Sequence, residues 1–302
     1  MTQLAKYWKS IKKAAVEFNN DNGFKLSASL SFSTVFAMAP LLIVVISLAG
    51  IFFGQRAVEG RIYEQIKDLV GSNAAMQVQD IILNIQQSRH SIAGAIIGGA
   101  ILLITATGVF TEIQGSVNYM WSIQAKPKKG WLKFLGNRLL SFSLIIAFGF
   151  ISMVSLIVNS LMDVLSNYLK SYFSSFSVYF FYAVNMVLTI AAVILLFTII
   201  FRVLPDAVVR WSDAFTGAVF TAILFIAGKF GIGFYLGNSN IGALYGTAAS
   251  IIVILTWVYY SSIILYLGAE FTKVYAQDYG GRIKASETAV FILKRESKHF
   301  EV

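Results

Sequence analysis

Three ionisable residues, Glu112, Lys229 and Glu270, lie within long apolar stretches of the sequence. A charged side chain at the centre of a bilayer costs about 2.5–3.5 kcal/mol on insertion scales, so such residues are seldom kept without a function. A buried carboxylate can hold a proton or a cation, and an ammonium group can attract an anionic substrate. We therefore expect Glu112 and Lys229 to line a polar cavity in the membrane and to contact a substrate or a proton.

Each of these residues also has a simpler interpretation. Glu112 could pair with a basic residue near the end of its stretch, and Lys229 could extend its long side chain to the membrane surface. Glu270 lies near the end of its stretch and is expected to bond to a neighbouring helix. Asn118 and Asn185 are further candidates for the same pathway, although hydrogen bonds that hold helices together explain each of them equally well.

The sequence offers little for enzyme chemistry. It has no cysteine and only two histidines, His90 and His299, which lie far apart. Thiolate nucleophiles and zinc–thiolate sites are therefore excluded, and the acids that a metal-dependent nuclease needs are mostly isolated. No GxxxxGK(S/T) phosphate loop occurs, which argues against an ATP-driven pump on this chain. We expect no cofactor, no metal and no enzymatic activity.

The elements that must position the ionisable residues are predicted to be transmembrane helices. Of the 302 residues, 57% are hydrophobic and 13% are charged, and the mean hydropathy is +0.71. A soluble protein has about 25% charged residues, so this chain is expected to lie in a bilayer. Six apolar stretches reach the roughly 20 residues that a spanning helix needs. They are 26–53, 92–123, 139–161, 178–201, 212–237 and 245–272.

The charges between the stretches predict the orientation. Eighteen of the 24 lysines and arginines lie in residues 1–25, 124–138, 202–211 and 273–302, whereas five lie in the segments on the other side. Basic residues accumulate on the cytoplasmic side, so both termini are predicted to be cytoplasmic. The predicted fold class is all-α, a polytopic bundle of six transmembrane helices. Since the basic residues determine topology, the net charge of +9 is weak evidence for a nucleic-acid partner.

The chain divides into three predicted segments. They are an amphipathic cytoplasmic segment at 1–25, the six-helix domain at 26–272 with a helical outer loop at 54–90, and a basic cytoplasmic tail at 273–302. In the first segment, a helical pattern places five residues on one apolar face: Leu4, Trp8, Ile11, Ala15 and Phe18. An apolar face beside lysines is typical of a helix on the anionic inner leaflet. The alternative is a soluble helix that packs on the loops.

Proline and glycine are expected to shape the bundle. Pro40 lies inside the first stretch and should bend it, because proline removes a backbone donor. Two GxxxG pairs, Gly233/Gly237 and Gly242/Gly246, flank a short outer turn between the fifth and sixth stretches. Small residues at this spacing let helices approach closely, so these two helices are expected to pack tightly.

Several of these stretches resemble one known family. The first stretch contains LSASLSFSTVFAMAPLLIVVISLAGIFFG, which is similar to the first span of the YihY/virulence factor BrkB family. Residues 203–271 look like that family's most characteristic region, with LPD at Leu204–Asp206, YGTAAS at Tyr245–Ser250 and an aromatic motif followed by LGAEF between Trp257 and Phe271. The resemblance covers about residues 20–280, which is nearly the whole chain.

The resemblance implies a bacterial cytoplasmic-membrane protein of six helices, with suggested roles in transport, in lipid or envelope homeostasis and in serum resistance. In addition to Lys229 and Glu270, it draws attention to a set of motif residues: Pro40, Pro205, Asp206, Tyr245, Gly246, Trp257 and Gly268. The family also carries an old assignment as a transfer-RNA-processing ribonuclease BN. The lack of clustered metal ligands in this sequence argues against that activity.

We therefore predict a transporter or flippase-like protein that moves a small solute or a lipid across the cytoplasmic membrane. The expected partners are membrane lipids and this substrate, with a second copy of the chain or an envelope protein as further candidates and no nucleic acid. The alternative is a membrane scaffold or accessory subunit that recruits a partner through the amino-terminal helix and the basic tail. A cavity that reaches both Glu112 and Lys229 would favour transport.

Overall fold

The computed structural model describes residues 3–37, 108–126, 136, 176–238 and 249–293, and this part of the chain is mainly helical. Helix α1 spans Gln3–Asn20, and α2 and α3 are described over residues 23–37 and 108–120. The remaining elements are β1 (Ile123–Ala125), α4 (Phe176–Val203), β2 (Ala207–Val208), α5 (Trp211–Asn238), α6 (Ala249–Asp278), β3 (Lys284–Ala285) and β4 (Ala289–Phe291).

Two of the described helices are long and apolar enough to cross a membrane. They comprise Trp211–Ile232 of α5 and Ile251–Asp278 of α6, which match the fifth and sixth predicted spans. The apolar part of α4, Ile190–Val203, is shorter than these two spans. The third predicted span and the outer loop at 54–90 lie outside the described residues. The count of six spans and the orientation of the termini therefore stay predictions.

An apolar core forms where α3, α4, α5 and α6 meet. Phe197 of α4 packs edge-on against Phe225 of α5, with ring centroids 6.0 Å apart, and Phe225 in turn contacts Trp257 of α6 at 6.5 Å. On the other side of α5, large side chains such as Phe215 and Phe230 are exposed. Helices that expose aromatic residues along their length are expected in a bilayer, because lipid accepts apolar surface that water rejects.

Helices α5 and α6 interlock through two reciprocal glycine–threonine contacts. Gly217 of α5 faces Thr272 of α6, and Thr221 of α5 faces Gly268 of α6. A Cβ atom added at either glycine would overlap the threonine side chain opposite. Each threonine hydroxyl also donates to the glycine carbonyl one turn earlier on its own helix, at 2.7 Å in both cases. Both helices therefore use a GxxxT pattern for close approach.

This contact differs from the predicted one. The sequence pointed to GxxxG pairs near the outer turn, and the surroundings of those glycines lie outside what the structure describes. The predicted tight packing of α5 on α6 is present. Its described contacts lie toward the start of α5 and the end of α6, away from the turn between the two helices. A third close approach, between Gly228 of α5 and the Tyr260 ring of α6, lies between these two regions.

Two short sheets join the ends of the helices on one side. Strand β1 pairs antiparallel with β4, so that Ile123 lies opposite Phe291, and β2 pairs antiparallel with β3, so that Ala207 lies opposite Ala285. The predicted tail at 273–302 is therefore anchored in its described part. Helix α6 also continues to Asp278, past the predicted end at 272, because the extra turns find partners on α1.

Helix α1 packs along the carboxyl-terminal part of α6 with only part of the predicted face. Of that face, Phe18 is buried and Ile11 packs against α6. Ala14 is buried against Phe271 and Val274 of α6, whereas Trp8, on the predicted apolar face, is 61% exposed. The contact face is turned toward Ala14 and its small neighbour Ser10, because small side chains permit close approach. The helix thus docks on α6 and leaves the Trp8 side uncovered.

Candidate functional site

A row of polar side chains, here called the polar file, runs between α3 and α6. On α6, Tyr266, Glu270 and Lys273 are spaced by four and three residues and therefore share one face of the helix. On α3, Glu112 and Ser116 are four residues apart and share a face in the same way. Contacts at both ends of the two rows show that these faces meet.

Lys273 closes one end of the polar file. Its ammonium group lies 2.8 Å from Glu270 Oε2, donates to Asp21 Oδ2 at 3.1 Å and donates to the Met120 carbonyl at 2.7 Å. The last two contacts are hydrogen bonds, whereas the contact with Glu270 is an ion pair without hydrogen-bond geometry. Lys273 is buried, so it joins α6 to the end of α3 and to the turn between α1 and α2 without help from solvent.

The turn between α1 and α2 places Asp21 against Lys273. Asn22 has φ of 56°, in the left-handed region that asparagine adopts more readily than most residues. Gly23 follows at a point where a Cβ atom would overlap the ring of Phe18, which is itself buried. These residues make the turn sharp, so a carboxylate from the start of the chain reaches the end of α6.

The buried charges around Lys273 do not cancel. Asp21 is 6% exposed and Glu270 is 0% exposed, and both carboxylates share a single ammonium group. Glu17 approaches the same group to 3.9 Å from a more exposed position. Among the described residues, neither carboxylate oxygen of Glu270 has a hydrogen-bond partner. The cluster is thus one positive charge short of neutrality, and a proton or a small cation could supply that charge.

Glu112 lies at the end of the polar file that is farther from Lys273. Its Oε1 accepts a hydrogen bond of 2.7 Å from Ser29 of α2. Glu112 precedes Trp121, at the end of α3, by nine residues, which corresponds to roughly 13 Å along a helix. The Tyr266 side chain is fully buried and lies near both Ser116 and Glu112. Carboxylate and hydroxyl groups therefore extend from Lys273 along α3 and α6 as far as Glu112, which is half-buried.

A second polar network fixes the LPD turn between α4 and β2. Asp206 is buried, and its Oδ2 accepts hydrogen bonds from Asn118 Nδ2 at 2.9 Å and Gln114 Nε2 at 3.3 Å. The Asp206 backbone N–H donates back to Asn118 Oδ1 at 2.8 Å. The Asp206 carbonyl accepts from the N–H of Ser286, which follows β3. One asparagine thus binds the turn twice and holds it between α3 and the tail.

Replacing Asn118 by leucine should destabilise the protein by about 1–3 kcal/mol, because the Asp206 carboxylate and backbone N–H would both lose a buried partner. The measurement is the thermal melting temperature of the purified protein in detergent. Gln124→Leu is the matched control, since Gln124 is an exposed amide on β1. Equal melting temperatures for the two variants would contradict the role assigned to this network.

The structure brings together some of the predicted site residues. Glu112 and Glu270 both belong to the polar file, and Asn118 and Asp206 bind each other in the second network beside the buried Pro205. Two motif residues serve packing, Gly268 in the contact of α5 with α6 and Trp257 in the aromatic core. Asn185 lies within α4, but its side chain is not described, and Pro40, Tyr245 and Gly246 lie outside the described residues.

Lys229 stands apart from both networks. It is exposed on α5, next to the exposed Phe230, and it makes no hydrogen bond or ion pair with another described residue. It follows Trp211, the first residue of α5, by 18 residues, or roughly 27 Å along a helix. This depth is close to the far edge of a hydrocarbon core of about 30 Å. The position favours extension of the Lys229 side chain to the membrane surface at that end of α5.

Several residues of these networks were not singled out in the sequence, Lys273 and Asp21 among them. Lys273 falls just beyond the predicted end of its span, and Asp21 falls in a polar segment where acids are common. Trp121 donates its indole N–H to the Ala269 carbonyl at 3.0 Å, next to Glu270. The spacing of three residues between Glu270 and Lys273 was the one local signal available, since an acid and a base at that spacing share a helix face.

Comparison with known proteins gives a consistent result. Similar proteins are the UPF0761 membrane proteins of Ralstonia nicotianae, Saccharophagus degradans and Kangiella koreensis, which are 25%, 28% and 27% identical to this chain. The matches cover 89%, 86% and 88% of this chain and 60%, 58% and 64% of those relatives, so the chain spans about three fifths of their length. No solved structure matches.

A sequence model of one family, described as virulence factor BrkB, matches residues 14–291. This match extends from α1 to β4 and contains every residue of the polar file and of the second network. It agrees with the motifs at the LPD turn and in α6, and the relatives above carry the name of membrane proteins. The chain therefore belongs to the YihY/virulence factor BrkB family of membrane proteins.

Proposed function

We propose that this protein is a transporter of the bacterial cytoplasmic membrane that moves a small solute or a lipid, and that the polar file is its pathway for a proton or a cation. The observation that supports the proposal is the file itself, in which Glu270 is fully buried and neither of its oxygens has a hydrogen-bond partner among the described residues. Ionisable residues inside membrane helices mark ion pathways and proton relays. A pure membrane anchor would gain nothing from such a carboxylate, whose burial costs several kcal/mol.

The members of the polar file have distinct roles in this proposal. Glu112 holds the proton or cation at the end of the file that is farther from Lys273. The Tyr266 hydroxyl is buried without a hydrogen-bond partner among the described residues. It and the Ser116 hydroxyl can both donate and accept hydrogen bonds, and in this proposal they pass a proton along the file. Glu270 receives it beside Lys273. The proposal includes no enzymatic step, and a gradient across the membrane supplies the energy.

In this proposal, the contacts of Lys273 keep the helices closed together at this end of the protein. While its ammonium group binds Asp21 and the Met120 carbonyl, the α1–α2 turn and the end of α3 are held against α6. A proton bound by Glu270 or Asp21 weakens the attraction of that carboxylate for the ammonium group. Opening of this end is thereby linked to occupancy of the file.

The proposal places this end of the helices in the cytoplasm. The described parts of the four segments rich in lysine and arginine meet there: α1, the region of β1, the loop that contains β2, and β3 with β4. Such a concentration of basic residues is retained on the cytoplasmic side. Both termini are then cytoplasmic, and the file opens toward the inner leaflet.

Glu112→Gln is expected to slow proton movement through the protein by at least about tenfold, because the amide cannot hold the proton or cation. The measurement uses purified protein in liposomes that contain a pH-sensitive dye, with a pH step imposed across the membrane. A second assay follows the transfer of phosphatidylglycerol with a fluorescent headgroup between leaflets. Lys229→Gln is the matched control and should behave like the unmodified protein.

Two outcomes would contradict the proposal. The first is that liposomes with the unmodified protein move neither protons nor the labelled lipid faster than empty liposomes. The second is that Glu112→Gln changes neither rate. In both cases the folded state of the protein is checked by size-exclusion chromatography, so that a loss of activity is not confused with a loss of structure.

The alternative function is a membrane scaffold or accessory subunit. The uncovered Trp8 side of α1 favours it, since the Lys12 ammonium group lies 5.3 Å from the Trp8 ring and the two form an exposed basic and aromatic surface. The anchoring of the tail by β3 and β4 speaks against recruitment by a free tail in this region. A scaffold predicts that Glu112→Gln leaves the cellular phenotype intact and that deletion of the tail abolishes it.

A further inference from the structure

A groove of about 660 Å³ runs between α4 and α5 on the exposed side of the helices. Its wall on α4 is one helical face, formed by Ala191, Ile194, Leu195 and Thr198, and its wall on α5 includes Phe215. The Thr198 hydroxyl donates to the carbonyl of Ile194, so it presents no free polar group to the groove. The long wall is therefore apolar, although Leu195 and Phe215 are exposed.

One end of the groove carries a positive charge. Trp211 lines this end, and the Arg202 guanidinium group of α4 lies 5.5 Å from the centre of the Trp211 ring. Arg202 forms no ion pair with a described residue, and its Nε is buried without a hydrogen-bond partner there. Ala191 lies 11 residues before Arg202, so the groove extends roughly 16 Å along α4 from this charge.

The two acids nearest to Arg202 in sequence, Asp206 and Asp213, already have other hydrogen-bond partners. Asp206 is bound by Asn118 and Gln114. Asp213 is buried at the start of α5 and accepts a hydrogen bond of 2.8 Å from the N–H of Gly281. A Cβ atom at Gly280 would lie 2.6 Å from the same carboxyl group, so the tail backbone covers it closely. No described acid therefore competes for Arg202 with an anion that arrives from the membrane.

We propose that this groove binds one anionic glycerophospholipid, with an acyl chain along α4 and α5 and the phosphate at Arg202. Basic pockets between membrane helices on the cytoplasmic side are a recurrent means of holding anionic headgroups, and arginine matches phosphate geometry well. Trp211 suits the level between headgroup and acyl chain, where tryptophan is enriched. This site is separate from the polar file and does not depend on transport.

The test uses quenching of tryptophan fluorescence by lipids with brominated acyl chains. The purified protein is placed in phosphatidylcholine bilayers that contain either brominated phosphatidylglycerol or brominated phosphatidylcholine. The part of the signal that belongs to Trp211 is obtained by difference from Trp211→Phe. We expect half-maximal quenching of Trp211 at an about fivefold lower fraction of the anionic lipid, the preference that one basic residue near the membrane surface gives.

The variants separate a bound lipid from general contact with the bilayer. Arg202→Gln should remove the preference for phosphatidylglycerol and keep the quenching by phosphatidylcholine. Lys284→Gln, which removes an exposed charge on β3 at the same end, should keep the preference. In the unmodified protein the preference should also fall as salt concentration rises, which needs no variant to fold. Equal quenching by both lipids, or a preference that survives Arg202→Gln, would overturn the proposal.

Discussion

Replacing Lys273 by methionine is expected to leave little folded protein in the membrane. Glu270 and Asp21 would then face each other without a positive charge, and the Met120 carbonyl would lose its donor. Removal of one partner from a buried ion pair costs about 3–5 kcal/mol, which is a large part of the 5–15 kcal/mol that stabilises a typical domain. The yield of monodisperse protein by size-exclusion chromatography and its melting temperature measure this loss.

Two further variants show whether charge is the cause. Lys13→Met is the matched control: Lys13 pairs with Asp278 at 2.9 Å in an exposed position, where such a pair contributes about 0–1 kcal/mol. The combination of Lys273→Met with Glu270→Gln and Asp21→Asn removes the uncompensated charges and should recover much of the lost stability. A combination no more stable than Lys273→Met alone would show that the buried charges do not govern the fold.

The second large effect is expected at the contact between α5 and α6. In Gly217→Leu, the new side chain would occupy the space of Thr272, so the two helices would have to separate. Overpacking of this kind costs about 1–3 kcal/mol and more where backbone must move. The melting temperature of the purified protein is the measurement. Gly231→Leu on the same helix is the control, because no atom lies within 4 Å of the position a Cβ would take there.

An exchange of residues tests the geometry of this contact more directly. Gly217→Thr combined with Thr272→Gly moves the threonine to the opposite helix and keeps the total volume of the pair. We expect this double variant to be more stable than Gly217→Thr alone. If the single and the double variants melt at the same temperature, the two residues are not packed against each other as the structure shows.

The sequence was informative wherever physics acts within one element. Glu112 and Glu270 were identified because a charge inside an apolar stretch is energetically unusual, and that reasoning needs no partner. The spans that became α5 and α6 were recognised for the same reason, since their length and apolarity are properties of the stretch itself. The orientation, which depends on charges in the loops, stays a prediction, although the loops concerned do meet on one side.

The sequence could not predict which residues these side chains contact. Asn118 and Asp206 were each noted separately, but their hydrogen bond joins positions 88 apart. Lys273 and Asp21 are 252 positions apart, and each resembles an ordinary charge of a polar segment. On α1, Ile11 and Phe18 of the predicted face do pack against protein, but Ala14 was missed because it contributes little to apolar periodicity, while its small size permits close contact with α6. Contacts of this kind are decided by shape in three dimensions.

The glycine–threonine contact of α5 and α6 also limits how the protein can move. Each threonine sits in a notch of the opposite helix, at two levels one turn apart, so a slide or a roll of either helix would push a threonine against a residue that has a side chain. Helices α5 and α6 are therefore expected to move together as one rigid body. One face of the polar file belongs to α6, which is part of this rigid body, and the other face belongs to α3, which is not. In the proposed transport, a movement of this pair relative to α3 would shift the two faces of the file along each other. Lys273 would then separate from the Met120 carbonyl on α3, while its ion pair with Glu270, within α6, would be kept.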